Sequence, residues 1–210
     1  MMREKFDEDL RYLDNLLLEM AMLNENAIKK AILLLDEKDK EIAKEVSNFE
    51  EKIDVYEDII QKHCLKLFVE QQPAAGDLRR ISAALKMITD MERIGDNSRD
   101  IAEICMLLPI DYRKDKFPLI NDMAEATIGI VNDSINAFVN RDIEAAEQIE
   151  KEDDVIDNYF IMIRDEIIDI IKSDFDPEAA IDFLMISKYL ERIADHAVNI
   201  SRWVIFSIKG

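Results

Sequence analysis

The chain has 210 residues, of which 49% are apolar and 35% are charged, and its formal net charge is −19 at pH 7. This composition is typical of a folded globular protein and excludes a disordered one. The acidic balance argues against nucleic-acid binding, because contact with phosphate groups requires lysine and arginine on the surface. It suits a protein that binds cations. With four glycines and four prolines, the sequence favours long, uninterrupted helices.

Helical periodicity predicts three long helices in the first half of the chain. Apolar residues recur every three or four positions over about residues 5–35, which predicts the first helix. A polar turn follows, and Asp39 is the expected cap of a second helix over about 40–70. A segment with proline and glycine ends it, and Asp77 is the expected cap of a third helix that runs to about residue 108.

The second half repeats this pattern. Helices are predicted over about 119–139, over about 143–172 and from Pro177 to about 208, with the proline at the first position of the last helix. No run of residues alternates apolar and polar side chains between turn signals, so no strand is predicted. The fold class is therefore all-α.

The two halves align with each other, which indicates an internal duplication. Asp39 recurs as Asp142, and Glu92 recurs as Glu191. The loops within each half are short, which predicts two tandem antiparallel three-helix bundles. The charged connector Pro109–Pro118 is the predicted boundary between two repeats, residues 1–110 and 111–210.

Acidic pairs with a spacing of four residues recur at equivalent positions of both halves. Residues i and i+4 lie on one face of a helix, so each pair presents two carboxylates together. Antiparallel neighbours would bring the pair on the second helix level with the pair on the third. Four carboxylates at close range repel one another unless they bind protons or a cation. The candidate metal ligands are Glu50, Asp54, Glu92 and Asp96 in the first half and Asp153, Asp157, Glu191 and Asp195 in the second.

These acids have two other interpretations. A single pair is explained as well by an exposed helix face with acids bridged to lysine or arginine, but the fourfold repetition favours a metal site. The absence of a Glu-x-x-His motif argues against a ferritin-like di-iron oxidase. Arg93 and Arg192 are expected to project away from the carboxylates and to form packing contacts or interhelical salt bridges. His63 is interpreted as an ordinary helix residue.

The third helix of each half carries one long motif that resembles the PhoU family. The two motifs are the segment from Asp77 to Asp96, which ends in Glu92-Arg93-Ile94-Gly95-Asp96, and the segment Lys188–Ile200. The resemblance extends over nearly the whole chain. It implies two three-helix bundles with metal clusters held by Glu/Asp-x-x-x-Asp motifs. It also implies a cytosolic, often dimeric regulator of phosphate uptake that acts with the ATPase subunit of a phosphate ABC transporter and with a sensor histidine kinase.

The resemblance also assigns ligands residue by residue. The first site would comprise Glu50, Asp54, Glu92, Asp96 and Asp100, and the second Asp153, Asp157, Glu191, Asp195 and Asn199. The expected metals are transition-metal ions, iron or zinc first and manganese or nickel as alternatives, in sites that hold one or several ions. Three positions depart from the family pattern: Asn97 where histidine is usual, Asp100 where asparagine is frequent, and Asp153 where glutamate is usual. The two sites are therefore expected to differ.

The remaining expectations concern function class and location. The sequence has no nucleotide-binding loop and no Ser-His-Asp or Cys-His motif, so an enzyme is not predicted. The alternatives are a metal-dependent phosphohydrolase and a metal-free helical adaptor. No apolar run approaches the ~20 residues of a membrane span, so membrane contact is expected only through partner proteins. Cys64 and Cys105 match no zinc or redox spacing, which favours reduced thiols in the cytoplasm. A homodimer is expected.

Overall fold

The computed structural model describes residues 2–71, 73–109, 117–173 and 175–209. Within these ranges the chain forms six helices and no strand, which confirms the all-α prediction. Every helix end lies within about one turn of its predicted position. The helices are α1 Met2–Leu33, α2 Lys40–Gln71, α3 Ala75–Leu107, α4 Leu119–Asn140, α5 Ile143–Ile171 and α6 Pro177–Lys209.

Two helix starts show how local chemistry sets the boundaries. The Oδ1 atom of Asp39 accepts a hydrogen bond from the backbone N–H of Glu41 at 2.8 Å, so Asp39 caps α2 as predicted. The prediction that Asp77 caps α3 is wrong. This helix begins at Ala75, after Ala74 in an extended conformation, and Asp77 lies inside its first turn. There its charge complements the positive end of the helix dipole.

The six helices pack as two bundles. Helices α1, α2 and α3 contact one another, and so do α4, α5 and α6, with consecutive helices antiparallel. The bundles meet mainly along α3 and α6, and a smaller contact joins α1 to α4. The prediction of two tandem three-helix bundles is confirmed. The proposed boundary between residues 110 and 111 lies outside the described residues, so the division into 1–110 and 111–210 stays a prediction.

An apolar stripe on each third helix anchors its bundle. Ile94 and Ile101 on α3 and their equivalents Ile193 and Ile200 on α6 are all fully buried. Burial of each isoleucine side chain contributes about 1.5–3 kcal/mol. Because the acidic motifs start two residues before the first isoleucine of each pair and continue between the two, the core fixes the rotation of α3 and α6 and hence the direction of their carboxylates.

The two bundles differ near the starts of α3 and α6. In the first bundle Asp14 pairs with Arg80 at 2.6 Å, and the Arg80 guanidinium lies 5.7 Å from the ring centroid of Phe138 on α4. Burial raises the pKa of Asp14, and the charge of Arg80 opposes that shift. The position equivalent to Asp14 in the second half is Phe117, whose ring centroid lies 4.4 Å from that of Phe183. The aspartate of a buried ion pair in one bundle is thus replaced by a phenylalanine of an aromatic contact in the other.

Both cysteines are free and lie in the core. Burial raises the pKa of the Cys64 thiol and of the Cys105 thiol to about 12. Such thiols are poor nucleophiles and poor metal ligands, because both roles require the thiolate. The cysteines therefore belong to the packing of the first bundle.

Replacing Asn24 by threonine should stabilise the protein. Asn24 is fully buried on α1, and neither its amide nitrogen nor its amide oxygen has a hydrogen-bond partner in the protein. The equivalent Thr127 donates from its hydroxyl to the carbonyl oxygen of Met123 at 2.8 Å. We expect Asn24→Thr to raise the free energy of unfolding by about 1 kcal/mol, because a buried amide without partners is destabilising. Urea denaturation measures the change.

The exposed Asn26 on the same helix supplies the matched control. Asn26→Thr should alter the free energy of unfolding by no more than about 0.5 kcal/mol. A loss of stability in Asn24→Thr would contradict the expectation that the unpartnered amide destabilises the fold.

Candidate metal centres

Four predicted ligands meet where α2 faces α3. The two helices approach closely because Gly95 has no side chain: a Cβ atom there would stand only 2.9 Å from Cδ1 of Ile53 on α2. Asp54 follows Ile53 and Asp96 follows Gly95, so the close approach brings acids of the two helices together. We call this group the first carboxylate cluster; its members are Glu50, Asp54, Glu92 and Asp96.

Burial and, after it, mutual repulsion raise pKa values in the first carboxylate cluster. Burial raises the pKa of Glu50, of Asp54 and of Glu92, and the negative charge of Asp96 raises each of them further. These groups therefore bind protons more tightly than ordinary carboxyls. A metal cation among them would relieve the same repulsion, which is the behaviour expected of a ligand set.

Two arginines of α3 also contact the first carboxylate cluster. Arg99 donates to Glu50 from Nη1, and its Nη2 lies 3.7 Å from Oδ1 of Asp96. The prediction that Arg93 projects away from the acids is wrong. Its Nη1 lies 2.9 Å from Oδ2 of Asp96, and its Nε lies 3.3 Å from Oε2 of Glu92. The long side chain bends along its own helix, which helical periodicity does not predict.

A second carboxylate cluster lies where α5 faces α6, and it comprises Asp153, Asp157, Glu191 and Asp195. Burial raises the pKa of Asp153 to about 6, and the charges of Asp157, Asp195 and Glu191 add to the shift. The Oδ1 atom of Asp153 is buried and has no hydrogen-bond partner in the protein. Lys188 contacts only the Glu191 carboxylate of this group.

A pocket of about 380 Å³ opens beside the second carboxylate cluster. Its lining combines acidic, basic and amide side chains from α5 and α6: Asp153, Arg192, Asp195, His196, Asn199 and Arg202. Arg202 was not among the predicted site residues. It lies three residues after Asn199 and seven after Asp195, which places all three on one helix face. This spacing could have identified Arg202 from the sequence.

Asp100 and Asn199 lie at the contact between α3 and α6. The Nδ2 of Asn199 donates to Oδ1 of Asp90 at 3.3 Å, and the Nδ1 of His196 lies 2.9 Å from the same oxygen. Asp100 accepts a hydrogen bond from the side chain of Tyr189. The duplication relates Asp90 to Tyr189 and Asp100 to Asn199, so these are the two symmetry-related versions of one contact. Both residues therefore tie the bundles together beside the carboxylate clusters.

The donor chemistry of both clusters fits a metal ion. Carboxylate oxygens are suitable ligands for iron and manganese and also occur in zinc sites. The unpartnered Oδ1 of Asp153 is a buried acceptor that a bound cation would satisfy. As the side chains are oriented here, no three Asp, Glu, His or Cys residues of the described part of the chain form a metal-binding arrangement.

The family model described as PhoU domain matches residues 17–105 and 120–204, one match in each bundle. The chain belongs to the PhoU family. It is 32% identical to the phosphate-specific transport system accessory protein PhoU homolog of Clostridium acetobutylicum, over 100% of this chain and 97% of that protein. It is also 32% identical to homolog 1 of Thermotoga maritima, over 98% of this chain and 89% of the relative.

Solved structures of PhoU proteins share this fold. PhoU from Pseudomonas aeruginosa superimposes with a TM-score of 0.88 at 26% identity, covering 98% of this chain and 99% of that one. The phosphate transport system regulatory protein PhoU from Streptococcus pneumoniae gives a TM-score of 0.88 at 27% identity, covering 96% of both chains. Both the family resemblance and the fold drawn from the sequence are thus confirmed. Among the described residues no helix is long and apolar enough to cross a membrane.

Proposed function

We propose that this protein is a metal-binding, cytoplasmic regulator of phosphate transport that acts through protein contacts and not as an enzyme. The names of its relatives support the transport role, because they are described as accessory and regulatory proteins of phosphate transport. The observation that carries the metal-binding part is the presence of a carboxylate cluster at equivalent positions of both bundles, with raised pKa values in each.

The proposed ligands are the carboxylates of the two clusters, with Asp100 and Asn199 as further ligands implied by the family. Iron or zinc is the proposed metal, and manganese or nickel the alternative. The carboxylates of each cluster would hold the metal, and its positive charge would offset their repulsion where α2 faces α3 and where α5 faces α6. The contacts of Asp90 with His196 and Asn199 connect the second cluster to the first bundle.

The proposed partners are a second copy of the chain, the ATPase subunit of a phosphate ABC transporter and a sensor histidine kinase. Helix α5 carries apolar side chains that its own bundle leaves exposed: Val155, Ile161, Met162, Ile168 and Ile171. An exposed apolar helix face of this kind suits contact with a partner helix. Contact with the membrane is proposed only through these partners.

Loss of the gene should release phosphate transport from control. We expect phosphate uptake and transcription of phosphate-starvation genes to rise in high phosphate when the gene is deleted, and the wild-type gene to reverse both. Glu92→Ala/Glu191→Ala should fail to reverse them, because each cluster loses a proposed ligand. Radiolabelled phosphate uptake and transcript quantification are the measurements.

Removal of two other acids controls for the loss of charge. Asp58 and Asp169 are exposed; Asp58 pairs with Lys62 on the same helix, and Asp169 pairs with Lys172 just after α5. Asp58→Ala/Asp169→Ala should restore control as the wild type does. Unchanged uptake and transcription after deletion, together with no transporter ATPase or kinase co-purifying with the tagged protein, would contradict the regulatory role.

A further inference from the structure

Arg99 gives the first carboxylate cluster an internal cation. Its guanidinium donates to Glu50 on α2 and lies 3.7 Å from Asp96 on α3, and its Nε lies 3.7 Å from Oε1 of Glu103. The Glu50 side chain is only 11% exposed, so this contact is partly desolvated. One side chain of fixed charge therefore bridges two proposed metal ligands that belong to different helices.

The second carboxylate cluster has no counterpart of this bridge at the equivalent position. The residue that corresponds to Arg99 is Val198, which is buried. The residue that corresponds to Glu50 is Asp153, whose Oδ1 atom has no hydrogen-bond partner in the protein. Lys188 contacts Glu191 on its own helix, and Arg202 contacts the exposed Glu150 outside the cluster. Neither of these contacts links the ligands of α5 to those of α6.

We propose that Arg99 competes with metal for Glu50 and Asp96, so that the second site takes up metal at a lower free concentration than the first. The inference rests on the proposed metal binding. A metal ion that binds Glu50 and Asp96 must first displace the guanidinium and break its charge-assisted hydrogen bond. At the second site Val198 imposes no such displacement. At free metal concentrations between the dissociation constants of the two sites, the protein carries metal in the second bundle alone. It therefore has three states: without metal, with metal in the second bundle, and with metal in both bundles.

Isothermal titration of single-site variants with Mn²⁺, and in a second series with Zn²⁺, tests the inference. Glu191→Ala/Asp195→Ala leaves only the first site, and Glu92→Ala/Asp96→Ala leaves only the second. We expect the first site to bind about tenfold or more weakly than the second. Adding Arg99→Gln to the first-site protein should tighten its Kd by about tenfold, as expected for loss of a competing charge near 4 Å.

Two further variants make the result specific to the charge at this position. Lys86 is exposed on α3, ten residues before Asp96 and therefore about 15 Å along the helix. Lys86→Gln also removes one positive charge but should change the Kd much less than Arg99→Gln, because Lys86 makes no contact with the carboxylates and its charge is screened by solvent. Arg99→Lys retains the charge and should keep the first site weak. Circular dichroism melting confirms that each variant is folded.

The outcomes separate this inference from the function on which it rests. Equal affinities at the two sites, no tightening in Arg99→Gln, or equal tightening in Arg99→Lys would overturn the role of Arg99 while leaving metal binding intact. Failure of every variant and of the wild type to bind either metal would overturn both.

Discussion

Asp153→Asn should stabilise the metal-free protein at pH 7 and at the same time weaken metal uptake by the second site. Burial and the neighbouring carboxylates raise the pKa of Asp153 to about 6, so its charge at neutral pH opposes folding. Asparagine has nearly the same shape and no charge. We expect a gain of about 1–2 kcal/mol in the free energy of unfolding, a value already reduced for solvent screening of a partly exposed group.

The pH dependence of this gain identifies its cause. The folded protein binds the Asp153 proton more tightly than the unfolded chain, whose aspartate has a pKa near 3.8. The stabilisation from that proton is complete below the unfolded value and is lost as the pH rises through about 6. The advantage of Asp153→Asn should therefore be full at pH 7 and shrink as the pH falls toward 4. Urea denaturation in EDTA at several pH values measures it.

The adjacent Asp154 provides the control, since it is exposed. Asp154→Asn should change stability by no more than about 0.5 kcal/mol. If Asp153→Asn unfolds more readily than the wild type in EDTA at pH 7, the proposed repulsion in the second carboxylate cluster is wrong.

Phe183→Ala should lower the free energy of unfolding by about 3–5 kcal/mol. Phe183 is fully buried on α6 and contacts Phe117, whose ring also lies edge-on to Phe175 at 6.0 Å. Alanine leaves a cavity in this aromatic group, which the two remaining rings cannot fill without moving. The equivalent residue in the first bundle is Ala84, so the first bundle has an alanine where the second has this aromatic ring. Urea denaturation with and without EDTA measures it.

Two milder variants calibrate the effect. Phe183→Leu keeps most of the buried volume and should lose less than about 1.5 kcal/mol. Phe206 on the same helix is partly exposed, and Phe206→Ala should also lose much less than Phe183→Ala. A loss below about 1 kcal/mol in Phe183→Ala would show that the aromatic group contributes little to the second bundle.

The fold was predictable because helical periodicity and duplication are properties of the sequence itself. Apolar spacing gave all six helices, and short loops implied antiparallel neighbours. The pairing of Glu50 and Asp54 with Glu92 and Asp96 followed from the i, i+4 rule and from that antiparallel arrangement. The error at Asp77 has a local cause, because the extended backbone at Ala74 starts α3 before the aspartate.

The details of the site depend on contacts that periodicity does not encode. Helical periodicity shows which face of α3 is buried, but it does not show that α6 covers part of that face. The pairing of Asp90 with His196 was therefore not predicted. Arginine side chains have several rotatable bonds, and their positions depend on nearby charges; Arg93 and Arg99 both turn toward acids for this reason. The asymmetry between Arg99 and Val198 is visible in the sequence once the repeats are aligned, but its consequence requires the geometry.

Metal content is the most direct test of the central claim that the repeated carboxylate clusters hold metal. Elemental analysis should find transition metal in the purified wild type and in Asp58→Ala/Asp169→Ala, and little or none in Glu92→Ala/Glu191→Ala. All three proteins should give the same helical circular dichroism spectrum. Equal metal content in the wild type and in Glu92→Ala/Glu191→Ala, or none in any protein after growth with iron, zinc and manganese, would contradict the claim and favour a metal-free helical adaptor.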